Sequence, residues 1–69
     1  MKFSARNTLK GIVKSVVTGT VNDEVTVELS PGVEVTAVIT KTSAENLGLA
    51  AGKEVYAVIK ASDVIIAID

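Results

Sequence analysis

The chain contains no cysteine, no histidine and no tryptophan, and only one proline, one phenylalanine and one tyrosine among its 69 residues. Without thiols or imidazoles there is no disulfide, no thiolate nucleophile, no Cys/His zinc site and no imidazole general base, which sets aside most enzyme classes. The expectation is a protein that is not an enzyme. An excess of one charge sign is also missing. Seven Lys+Arg against eight Asp+Glu leave a net charge of -1, so no broad basic field is there to hold a polyanion, and no nucleic-acid partner is expected. The apolar runs fall far short of the roughly 20 residues of a bilayer span. The opening residues MKFSARN lack the apolar stretch of a signal peptide, and a soluble, cytoplasmic protein with no membrane partner is expected.

What the chain does have is aliphatic bulk: 48% of it is hydrophobic, mostly Val and Ile. A domain of this size buries only about 60% of its unfolded surface and usually needs disulfides, metal or association to hold a core. With disulfides excluded and no Cys/His metal set, the surplus apolar surface points to association with further copies of the chain. Short Val/Ile/Thr runs punctuated by Gly and Pro predict an all-β domain over residues 1–69, with strands near 9–18, 24–29, 33–40, 53–60 and 64–68. Val25, Val27 and Leu29 alternate with Thr26 and Glu28, giving one apolar and one polar face. Ser30-Pro31-Gly32 reads as a turn, with Pro fixing φ and Gly supplying positive φ. Residues 42–48 read as one short helix, with Thr42 and Glu45 as a capping box and Gly48 as the left-handed stop. Leu47 and Leu49 would tuck that helix over an open end of the sheet. The strands near 53–60 and 64–68 are apolar on both faces, with Tyr56 and Val58 on the side expected to meet another subunit. The expected architecture is a five-stranded antiparallel OB-like Greek-key barrel, with the helix between strands 3 and 4.

Two short tracts stand out for their chemistry. In an extended chain Ser4 and Arg6 project to one side, and Lys60 and Ser62 repeat that geometry near the other end of the sequence. Each tract pairs a cation with a hydroxyl and contains neither His nor carboxylate; with Asn7 they form a set dominated by donors. Such a set suits a tetrahedral dianion, whose oxygens only accept hydrogen bonds. The alternative reading of both tracts is solvated charge at strand ends. Gly11 reads as a bulge or a close backbone approach in the first strand. Asp23-Glu24 hints at metal, but adjacent carboxylates alternate across a strand and more often sit in water.

The run Ser4-Ala5-Arg6-Asn7-Thr8-Leu9-Lys10-Gly11 resembles the molbindin family, the Mop-type molybdate-binding domain also found as a module of TOBE domains. The resemblance continues through Thr36-Ala37-Val38-Ile39-Thr40, through Ser43-Ala44-Glu45-Asn46-Leu47-Gly48-Leu49 and through Ala57-Val58-Ile59-Lys60-Ala61-Ser62-Asp63-Val64, covering essentially the whole chain. It implies a homohexamer, a trimer of dimers, that stores or buffers molybdate or tungstate in the cytoplasm. It also implies that Ser4, Arg6 and Asn7 form one anion-binding stretch, and that Lys60 and Ser62 form a second, contributed by a neighbouring subunit. The competing reading is a structural or protein-interaction OB-like oligomer without an anion ligand.

Overall fold

The alternating segments form four strands, β1 (Asn7–Thr18), β2 (Asn22–Ser30), β3 (Val33–Thr40) and β4 (Glu54–Ile59), in a computed structural model that describes residues 4–69. All pairings are antiparallel and the sheet order is β3-β2-β1-β4. The chain therefore runs a three-strand meander and then crosses to the free side of β1, with α1 (Lys41–Leu47) on the crossing. Both β3 and β4 are edges, and the sheet is an open half-barrel of four strands rather than the expected five.

The core sits on one face of β1 and β2, where Val13, Val25 and Val27 are buried and Val16, Leu29, Ile39, Leu49 and Val55 pack against them. Period-2 alternation explains β2, β3 and β4, but β1 buries Val13 and half-buries Val16, three residues apart. A bulge reconciles the two. Val13 pairs with Val27 and Ser15 with Thr26, so Lys14 is the extra residue and the inward face changes phase across it. The irregularity thus lies at Lys14 rather than Gly11. Gly11 answers a different need, because a Cβ there would stand 2.7 Å from the Glu28 carbonyl oxygen and 2.7 Å from a Val27 methyl, closer than carbon atoms pack.

Pro31 and Gly32 turn β2 into β3, with Gly32 at φ 79° as a type II turn requires. The β1–β2 connection is tighter than expected. Asn22 and Asp23 already belong to β2, and Asp23 is buried rather than solvated, its Oδ1 accepting the Gly19 N–H at 3.2 Å. At α1 the cap is Thr40 instead of Thr42: the Thr40 hydroxyl accepts the Ser43 N–H at 3.1 Å, and Thr42 lies inside the helix. Gly48 closes the helix in the left-handed conformation, as expected. Ala44 and Leu49 face the core, whereas Leu47 is largely exposed.

The expected fifth strand is absent from this sheet. After β4 the backbone enters a 3-10 turn (Ala61–Asp63) instead of reversing, and residues 64–69 form no strand ladder. Ile65, Ile66 and Ile68 are 90%, 84% and 94% exposed. β-branched composition gives this segment strand preference, but a strand is completed only by a neighbour's backbone, and none among the described residues pairs with it.

Candidate functional site

The β1–β4 ladder ends on the pair Asn7↔Ile59. Arg6 and Lys60 are the next residues along each strand, with Ser4 and Ser62 two positions further. Topology thus brings both donor tracts to one end of the sheet within a single chain. The resemblance implied a second tract from a neighbouring subunit; here the register brings the starts of the two tracts to the same end of one chain. Ser4, Arg6, Lys60 and Ser62 are exposed at this end, and Asn7 is half-buried. The Asn7 side-chain amide donates to the Ile59 carbonyl oxygen at 3.3 Å, across 52 residues of sequence. Lys60 opens the 3-10 turn in extended conformation (φ -60°, ψ 135°), and its carbonyl accepts the Asp63 N–H at 2.9 Å.

Among the described residues the ion pairs are Lys10–Glu54 and Lys14–Glu34, and neither Arg6 nor Lys60 takes part in one. In both pairs the carboxylate accepts the lysine's hydrogen bond and raises its pKa above the ordinary lysine value, Glu54 acting on Lys10 and Glu34 on Lys14. These pairs tie strands of the outer face together, and neither involves a residue of the donor tracts.

Two cavities among the described residues lie elsewhere. One, of about 470 Å³, sits under α1 and is lined by Asp23 and Glu45 together with Lys41; two carboxylates against one ammonium disfavour an oxyanion there. The other, of about 150 Å³, is an apolar opening between the free edges, lined by Val35, Ile39 and Val55 among others. None of the five tract residues lines either one. No group of three or more metal-ligating side chains occurs among the described residues, and no helix among them is long and apolar enough to cross a membrane. Sequence reasoning identified the donor types; it missed that Asn7 spends an amide proton on Ile59, for which an amide at the first position of a strand is the only signal.

Residues 4–66 match the TOBE domain family. Molybdenum-pterin-binding protein 3 of Clostridium pasteurianum is 48% identical over 66 residues, 96% of this chain and 97% of the relative. The molybdenum transport protein ModE of Azotobacter vinelandii is 53% identical over 66 residues, but the chain spans only 24% of its length. The solved structure of the cytoplasmic molybdate-binding protein ModG, with molybdate bound, superposes with a TM-score of 0.90 at 51% identity, over 94% of this chain and 46% of that one. A half-barrel with one capped helix and a donor tract at each end of the sequence, similar over nearly its full length to a Mop-type molybdenum-pterin-binding protein, belongs to the TOBE domain family.

Proposed function

We propose that the chain binds molybdate with Ser4, Arg6, Asn7, Lys60 and Ser62, in sites closed by subunit contact within a homo-oligomer, a trimer of dimers, and that it stores or buffers the anion in the cytoplasm. Tungstate, of the same shape and charge, is the other expected ligand. The observation that carries this reading is the meeting of the two tracts at the Asn7↔Ile59 end of the sheet. Burial decides the energetics. A unit charge pair 4 Å apart is worth about 4 kcal/mol at an effective dielectric of 20 but little at an open surface. Arg6 and Lys60 are exposed in one chain, so tight binding calls for a cover, and a second copy of the chain is the economical one. The isoleucines of residues 64–69, exposed in a sheet whose β3 and β4 edges are free, support association of this kind.

Selectivity follows from the donors. Molybdate is fully deprotonated at neutral pH, whereas phosphate carries a proton that a donor-only cavity cannot accept, and sulfate is smaller and fits loosely. Titration calorimetry should show molybdate and tungstate bound far above sulfate and phosphate. Arg6→Ala should abolish the tight phase without changing oligomer size, since it removes a charge partner and little packing. Equal heats for all four anions, or an Arg6→Ala affinity within twofold of the parent, would refute the assignment. The exposed apolar segment by itself also favours a second reading, a structural or protein-interaction oligomer. A tight oligomer on a sizing column that ignores molybdate would support that alternative.

A further inference from the structure

We infer that Asn7 is a positioning residue of this site rather than a ligand of the anion: its side-chain amide holds the Ile59 carbonyl and so orients the peptide from which Lys60 and Ser62 depart. The inference rests on the binding reading above and changes the role of one of its five residues. Four observations meet at this point. The Ile59 carbonyl and the Lys60 nitrogen belong to one planar peptide, and the register makes Asn7–Ile59 a hydrogen-bonded pair like Val13–Lys53, so the side-chain amide is a second donor that reinforces the direction of the oxygen where the second tract starts. The β1–β4 ladder stops at this pair, which leaves the backbone beyond it without strand support. The 3-10 turn that follows has no side-chain cap of its own and is held by two backbone bonds, Asp63 N–H to Lys60 O at 2.9 Å and Val64 N–H to Ala61 O at 3.3 Å. Finally, among the described residues the Asn7 amide bond to Ile59 O is the side-chain hydrogen bond that ties the first tract to the residue preceding the second.

Burial separates the roles. Arg6, Lys60 and Ser62 are exposed and open to a ligand, whereas Asn7 is half-buried, with one amide proton already used against the neighbouring strand. A short amide side chain suits this role because it donates to a carbonyl, which the carboxylate of Asp cannot do. Its length allows it to span the closing pair of an antiparallel ladder.

The test compares the parent protein with Asn7→Ala by NMR and calorimetry. In the anion-free variant, amide exchange at Asp63 and Val64 should quicken by about fivefold while the amides of β2 and β3 keep their rates, as for loss of one ordinary hydrogen bond at the turn. Molybdate affinity should fall by about fivefold with the oligomer unchanged in size. In the parent, the Asn7 side-chain amide resonances should stay in place on molybdate addition while Arg6 Nε and the Ser62 amide move. Unaltered exchange at Asp63 and Val64 in the variant would overturn the inference. So would an Asn7 amide that shifts as far as Arg6 Nε. If the parent takes up no molybdate, the binding reading fails, and the exchange rates still decide the role of Asn7. If the variant does not fold, the parent's resonances decide it.

Discussion

The strip formed by β1, β2 and β3 and the end formed by β4 and residues 60–69 are built from similar residues and reach opposite outcomes. In the strip, β1 and β2 have a neighbour on each side, and Val13, Val25 and Val27 are 1%, 3% and 5% exposed. At the other end β4 has one neighbour, the backbone leaves through a 3-10 turn, and Ile65, Ile66 and Ile68 stand in solvent. The donor tracts sit where these two regions meet. The contrast teaches that the part of the molecule which specifies the fold is complete in one chain, while the part proposed to bind and assemble is left unfinished. In the proposed function an exposed donor set gains strength when something covers it, so assembly and binding are coupled.

The sharpest way to break the contrast is to damage the finished strip. In Gly11→Val the added Cβ would press on the Glu28 carbonyl and Val27 at 2.7 Å, and both belong to the paired strand and cannot swing aside. The expected cost is about 3 kcal/mol, read as a thermal midpoint lower by roughly 15 °C; a variant as stable as the parent would mean that β1 and β2 can separate locally. Damage to the unfinished end should be felt differently. Ile66→Asp removes no core contact in the protomer, since Ile66 is 84% exposed, but it places a charge where a neighbour is proposed to pack. Circular dichroism should keep the β spectrum of the parent while the sizing column reports a smaller species. An unchanged elution volume would remove residues 64–69 from the assembly surface.

How much of this was legible beforehand differs between the same two regions. Period-2 alternation gave β2, β3 and the inward face of β4, and Pro31-Gly32 and Gly48 marked the turn and the helix stop, because those signals act within a few residues. The phase change in β1 was hidden, since Val13, Val16 and Val17 read as one apolar strand until the pairing with β2 assigns Lys14 as the extra residue. The choice of Thr40 over Thr42 as cap was hidden for a related reason: both are threonines near the same helix start, and the point where β3 releases the chain decides between them. Strand character in residues 64–68 was legible as composition, yet a strand is a property of two backbones, and one sequence shows only one of them. At the candidate site the donor chemistry of Ser4, Arg6, Lys60 and Ser62 was readable. Their adjacency within one chain was not, because it depends on the β1–β4 register.

The smallest expected effect lies on the outer face, where one ion pair ties the two regions together and another lies within the strip. Lys10 of β1 meets Glu54 of β4 at 3.1 Å, and Lys14, the bulge residue, reaches Glu34 of β3. All four side chains remain substantially exposed, so solvent and salt screen both pairs. The carboxylates nonetheless raise the lysine pKa values above 10.5, which fixes the sign of the pH dependence. A lysine that holds its proton more tightly when folded adds stability that is fully present below its unfolded value and is lost as pH rises through its higher folded value. Glu54→Gln should therefore lower the melting point slightly at pH 7, and the difference should vanish well above the ordinary lysine range or in about 0.5 M salt. Glu34→Gln should behave alike with a somewhat larger shift, because the Glu34 side chain is 36% exposed against 60% for Glu54. A Glu54→Gln effect larger than that of Glu34→Gln would show that the attachment of β4 depends on this ion pair, and the weak point of the fold would then be the β1–β4 ladder that carries the donor tracts.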